Sequence, residues 1–338
     1  MKGDPPGHLE AVVEPPSPLR LPSRASADRV TASRGGRVTR ILRVAGAPVM
    51  VSAAPTRGSS GIKVRATGLD PDAVEYPVGP RSEPRRAGPD ELCEALDRMR
   101  FALWLDEDVS EFLRAHRGDR FLGPVLRAKP WVRPKRRAFP WEALAWAIVG
   151  QLIEASEAAR IQRRLVGRFG PRLAGRTSSA APSYRDVPDA SEFAGRAPAE
   201  LVATGLAESR SLAMIRCARE VASGRADLER VDSEQRLARI PGIGPWTLQL
   251  LARDGRGDLD SLPAGDLAYL KLVGRLAGLR RRASVAEVEE FFEPYAPWRG
   301  LAGAFALSGL YRRVAEGPPM PNPAWPVSRA AGAAAVRW

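Results

Sequence analysis

Apolar and polar positions divide the chain into a short stretch that alternates and a longer one that repeats every three to four residues. Val38-Thr39-Arg40-Ile41-Leu42-Arg43-Val44, Val49-Met50-Val51-Ser52 and Ile62-Lys63-Val64-Arg65-Ala66 are β-rich runs separated by Gly and Pro turns. They predict a small antiparallel sheet. Residues 1–35 are rich in Pro, Ser, Gly and Arg, with weak strand character at Ala11-Val12-Val13, and read as a partly flexible lead-in. A second Pro/Gly/Arg-rich stretch, 78–89, precedes Pro89-Asp90-Glu91-Leu92, where Asp90 is placed to cap a helix carrying Leu92, Leu96, Met99 and Leu103.

Beyond residue 90 nearly everything has helical periodicity. Trp141, Leu144, Ala145, Ile148 and Leu152 form one stripe, and Val285, Val288, Phe291 and Phe292 another; such stripes pack into a core. The tail from Gly317, interrupted by five prolines, cannot continue a helix and reads as a loose extension. The expected division is therefore 1–35, a partly flexible segment; 36–104, a small β-rich unit with a closing helix; 105–316, a helical region; and 317–338, a Pro-rich tail. No internal repeat is evident. The fold class is mainly α, preceded by a small α+β unit.

The most informative interruption of the helical pattern is Arg239-Ile240-Pro241-Gly242-Ile243-Gly244-Pro245-Trp246-Thr247, after which apolar positions resume at Trp246, Leu250 and Leu251. Pro and Gly here predict a turn between two helices. Glycines leave backbone N–H groups open to close approach, and a turn of such donors beside a helix N-terminus can seat a phosphate. A Gly-rich corner between packed helices serves equally well without a ligand. Downstream, Asp266 precedes Leu267-Ala268-Tyr269-Leu270-Lys271-Leu272, which is the position of a helix N-cap.

Taken together, the turn and Asp266 resemble the helix-hairpin-helix DNA glycosylase superfamily, most closely its 3-methyladenine branch. Phe139-Pro140-Trp141-Glu142 through Gly150-Gln151-Leu152-Ile153 is similar to the helix leading to that family's Gly-Gln motif, and Pro297-Trp298-Arg299 to its late Pro-Trp-Arg. Gly205-Leu206 and the basic helix over 209–219 are similar to the segment before the hairpin. The resemblance covers roughly 90–316; over 1–89 it is architectural.

The resemblance implies a catalytic role for Asp266, a hairpin grip on duplex DNA through Gly242, Ile243, Gly244 and Thr247, and gap filling by Gln151 and Leu152. It also implies a base pocket around Trp246, Trp298, Leu250 and Leu267. Leu250 and Leu267 stand where relatives often place tyrosines, which makes the pocket more aliphatic. Bifunctional relatives carry a Lys two places after the second hairpin glycine; Trp246 stands there and cannot form a Schiff base. Each assignment has a plain structural alternative: Leu152 as core continuing its stripe, both tryptophans as core, Asp266 as a cap alone. The function implied is excision of alkylated purines from duplex DNA, with oxidised or deaminated bases, or DNA binding without catalysis, as the alternatives.

Composition narrows this further. The 338 residues carry 44% hydrophobic residues, enough for a sizeable core, and 52 Lys plus Arg against 39 Asp plus Glu give a net charge of +13. That balance favours a polyanionic partner, although an Arg-rich proteome produces it too. Basic candidates for phosphate contact are Lys135, Arg136, Arg137, Arg160, Arg163, Arg164, Arg210 and Arg216. Cys93 and Cys217 lack CxxC spacing, and with His8 and His116 they are too scattered for a zinc site or for the iron–sulfur cluster of one branch of the superfamily. No metal or cofactor is expected. No apolar run reaches the roughly 18 residues of a membrane span and no signal-peptide core is evident. The reading is a cytoplasmic, nucleoid-associated monomer acting on damaged double-stranded DNA.

Overall fold

The computed structural model describes residues 7–58, 60–77, 85–173 and 184–316, without the side chains of 310–316. The expected Pro-rich tail and the first six residues lie outside the described residues.

The alternating runs form strands β1 (His8–Val13), β2 (Ala32–Arg34), β3 (Arg37–Val44), β4 (Ala47–Pro55) and β5 (Ile62–Gly68), in the antiparallel order β1-β5-β4-β3-β2. Residues 8–34 are thus more than a lead-in. Both outer strands come from this segment, and Val30 and Asp28 are buried, because a three-stranded sheet alone would leave two apolar edges unpaired. Helix α1 (Pro89–Ala102) covers one face of the sheet with Leu92, Leu96 and Met99 against Val38, Leu42, Val49, Val51 and Val64. Its N-cap is Gly88, with Asp90 in the first turn instead of capping. The Glu91 carboxylate accepts from the Gly88 N–H at 2.8 Å. β3 is buried on both faces, since the helical region covers the other one.

The helices that follow are α2 (Ser110–Ala115), α3 (Gly123–Ala128), α4 (Pro140–Gly150), α5 (Ala155–Phe169), α6 (Ala190–Ala194), α7 (Pro198–Val202) and α8 (Glu208–Ala222). After them come α9 (Ser233–Leu237), α10 (Pro245–Leu250), α11 (Leu267–Leu276), α12 (Val285–Phe292) and α13 (Arg299–Glu316). They build two cores instead of one. The first joins α4, α5, α6 and α8 with Leu237, Ile243 and Leu251; the second joins α2, α3, α11, α12 and α13 around Phe112, Tyr269, Phe292 and Phe305. Two segments pass between them. Residues 132–140 and 251–262 run side by side, with the Arg137 N–H donating to the Asp254 carbonyl at 2.8 Å.

Helix α4 is buried all round, because the first core lies on one side and the N-terminal sheet on the other. The sheet meets it through charges as well as carbon. Arg40 donates to Glu142 at 3.2 Å and to Asp186 at 3.0 Å; Arg137 donates to Glu142 at 3.0 Å and to Asp28 at 2.7 Å; and the Trp146 indole N–H donates to Asp28 at 3.0 Å. Burial alone would disfavour the Asp28 carboxylate, but Arg137, the Ser26 hydroxyl and the Val30 amide together hold its pKa below 3.8.

Candidate active site and nucleic-acid interface

The Pro-Gly interruption is a helix-hairpin-helix. Helix α9 ends before Ile240 and α10 begins at Pro245, with Gly242 at φ +90° between them, a conformation that favours glycine. Gly244 is the N-cap of α10 and has no heavy atom within 4 Å of the place a Cβ would occupy. Among the described residues, no hydrogen bond engages the N–H of Gly242 or Gly244. The Ile240 and Ile243 amides, by contrast, are spent within the turn on Leu237 and Ile240 carbonyls. Ile243 and Thr247 are buried, at 4% and 2% exposure, so their side chains brace the hairpin from within instead of facing DNA.

Leu152 stands at the end of α4 on the turn before α5. It does not continue the buried stripe. Its side chain is fully exposed and its φ is +57°, which places a branched L-residue in the left-handed region. Gln151 faces inward, its amide donating to the Gly242 carbonyl at 2.7 Å and to the Thr247 hydroxyl at 2.9 Å, so it joins the turn to the hairpin. Val285, expected in its core stripe, is likewise exposed, beside Gly265.

Asp266 caps α11. One carboxylate oxygen accepts from the Ala268 N–H at 2.8 Å, the other has no hydrogen bond among the described residues, and the side chain is half-buried. Beyond α10 the helix widens into a π turn over Leu251–Gly255, which carries Arg253. Arg253 bonds Asp254 at 2.7 Å and the buried Tyr269 phenol, and lies in the field of Asp266. Burial pushes the Tyr269 phenol up to about 12 despite that guanidinium. Sequence periodicity carries no sign of this network, since a π turn has no apolar repeat of its own.

Trp246 packs its ring edge near Gly150, and Trp298 meets Phe112 edge-on at 6.0 Å; both are half-buried, as is Leu250, while Leu267 is exposed. The structure therefore keeps these four residues on partly open surface, with Trp298 packed against the second core. A cavity of about 560 Å³ lies elsewhere, between α1 and the Gly255-Arg256 turn, where the four carboxylates Asp90, Glu94, Asp97 and Glu229 outnumber Arg98 and Arg256.

Most of the basic candidates are committed to protein partners. Arg136 pairs with Glu107 and stacks 3.6 Å over Trp104; Arg137 belongs to the buried seam; Arg160 pairs with Glu157. Arg163 and Arg164 donate to the carbonyls of Ala27 and Thr204, and Arg210 to those of Val149 and Gln151. Arg216 is exposed on α8, and Lys135 is exposed beside the π turn. Desolvation of its ammonium by the surrounding chain, with the charge of Arg137, lowers the Lys135 pKa.

The hairpin with open amides, the exposed Leu152 and the half-open Asp266 carboxylate at the next helix N-terminus sit in a fold shared with solved DNA glycosylases. In sequence the chain is similar to 3-methyladenine DNA glycosylases. It is 25% identical over 213 residues to the DNA-3-methyladenine glycosylase of Bacillus subtilis, covering 61% of this chain and 69% of that protein. It is 27% identical over 234 residues to the probable bifunctional transcriptional activator/DNA repair enzyme AlkA of Mycobacterium tuberculosis, covering 68% of this chain but 45% of that protein. The 3-methyladenine DNA-glycosylase structure from Archaeoglobus fulgidus superposes with a TM-score of 0.70 at 19% identity, over 90% of this chain and 98% of that one. No family model matches the chain.

Proposed function

We propose that this protein is a monofunctional DNA glycosylase of base excision repair that hydrolyses the N-glycosidic bond of alkylated purines extruded from duplex DNA. The observation that carries this reading is the position of Asp266. Its capping role and its catalytic role are compatible, because one oxygen holds the helix while the other remains available. In the reaction the C1′–N bond breaks, its electron pair leaves with the base, and the sugar becomes oxocarbenium-like. The Asp266 carboxylate stabilises that charge and orients the water whose oxygen bonds to C1′ as one of its protons is released to solvent. The products are a free base and an abasic site.

The Gly242 and Gly244 amides would receive a backbone phosphate and Leu152 would fill the space of the departed nucleotide. Trp246 and Trp298 would present indole faces to a cationic methylated purine, with Leu250 and Leu267 completing the pocket. Trp246 offers no amine, so water is the nucleophile. No helix of the described residues is long and apolar enough to cross a membrane, in keeping with a site of action on chromosomal DNA. The test is to incubate methylated duplex with the purified protein and identify the released bases, with borohydride present in a parallel reaction. Release of 3-methyladenine or 7-methylguanine without a trapped covalent adduct is expected. Release only from oxidised or deaminated duplex, or binding without release, would overturn the substrate or the enzyme reading respectively.

A further inference from the structure

Leu152 presents a mechanical problem. A residue that enters a base stack must resist being pushed back, yet Leu152 is wholly exposed, has no packing of its own and holds a backbone angle that leucine rarely adopts. Something other than its side chain must hold the turn. The C-terminal carbonyls of α4 are also short of partners, as helix ends are.

Arg210 answers both needs. It lies in the first turn of α8, half-buried, and one guanidinium nitrogen donates to the Val149 carbonyl at 2.8 Å and to the Gln151 carbonyl at 3.2 Å. A cation at the negative end of α4 is electrostatically favoured there. One helical turn further on, Ala213 of α8 lies 3.6 Å from the place a Gly242 Cβ would occupy. Gln151 closes the circuit from its side chain to the Gly242 carbonyl and the Thr247 hydroxyl. The Leu152 turn, α8 and the hairpin are thus mutually fastened, and the fastening runs through the main chain of the residues immediately before Leu152.

We propose that Arg210 is a positioning residue for base extrusion: it acts with Gln151 to lock the Leu152 turn to the hairpin, so that seating a phosphate and driving in the leucine are one rigid event. This deepens the glycosylase reading and rests on it. Arg210 touches neither the base nor the sugar; it works through Leu152.

The experiment compares single-turnover excision of one 7-methylguanine placed either in a paired duplex or unpaired in a bulge, where extrusion costs little. Arg210→Ala is expected to slow the paired substrate about ten-fold while leaving the bulge within about two-fold, and Arg210→Lys, which keeps the charge and a donor, to recover part of the loss. The double variant Arg210→Ala/Leu152→Ala should be no slower than Leu152→Ala alone. Extrusion is read separately by fluorescence of 2-aminopurine beside the lesion with the Asp266→Asn background, so that absence of excision by the parent protein would sink the glycosylase reading without deciding this one. Equal slowing on both substrates, additive losses in the double variant, or unchanged 2-aminopurine emission would overturn the role of Arg210. Should the alanine form fail to fold, Arg210→Lys and Gln151→Met carry the same paired-versus-bulge prediction.

Discussion

The two ends of helix α4 are built on opposite plans. Its first turn sits in a dry seam where Arg40, Arg137, Glu142, Asp186 and Asp28 satisfy one another, and Glu142 is only 2% exposed. Its last turn runs out into Leu152, whose apolar side chain stands in solvent on a left-handed backbone. The seam spends its polar groups on the fold, whereas the wedge turn leaves its apolar group unused by the fold. Residues consumed by the fold and one the fold leaves free are thereby separated by the length of an eleven-residue helix.

That separation can be broken from either side. The largest expected effect is on the acting side: Asp266→Asn keeps the cap and removes the charge, and base release should fall by about 10²–10³-fold, with DNA binding and melting temperature close to the parent. A parent-like release rate would remove Asp266 from the chemistry. On the stabilising side, Glu142→Ala removes a carboxylate shared by Arg40 and Arg137, leaving them with Asp186 and Asp28 alone, and should lower unfolding free energy by about 1–3 kcal/mol, read by urea titration. Acid probes the same seam more gently. The Asp28 pKa is held below its ordinary 3.8 in the fold, so its stabilisation is complete above that value and is lost as pH falls through the lower, folded one. Asp28→Asn should therefore flatten the acid limb of the stability curve relative to the parent, and an unchanged limb would show that Asp28 is not the titrating group. The smallest effect sharpens the contrast most. Leu152→Gly relieves the left-handed angle and should leave stability within about 1 kcal/mol of the parent, on the higher side, while slowing excision from paired duplex.

How much of this was legible in the sequence follows from the same division. The hairpin was readable because Pro and Gly break an apolar repeat in a way only a turn explains, and Asp266 because a cap precedes its helix at fixed spacing. The strands β3, β4 and β5 were readable by alternation; β1 showed only weakly at Ala11-Val12-Val13, and the three-residue β2, Ala32-Ser33-Arg34, was not readable, since both are short edges that gain strand form by pairing with the sheet. Periodicity places Leu152 in the stripe of α4, and it misleads there because the helix stops at Gly150 and the next turn reverses the side chain's direction. The roles of Arg136 and Arg137, spent on Glu107, Asp28 and Glu142, could not be told from those of solvated arginines without knowing which carboxylates the fold brings near. Thr247, assigned to DNA contact, is a buried acceptor for Gln151 for the same reason.

One feature of the fold sets a limit on how the molecule can flex. The chain crosses between its two helical cores over 132–140 and again over 251–262, and those two strips of backbone are stitched together where the Arg137 amide meets the Asp254 carbonyl. A double strap of this kind lets the halves tilt about a common line but resists sliding one past the other. Leu152, just past α4 in the first core, and Asp266, at the start of α11 in the second, therefore take their spacing from that strap, and the proposed excision would depend on it.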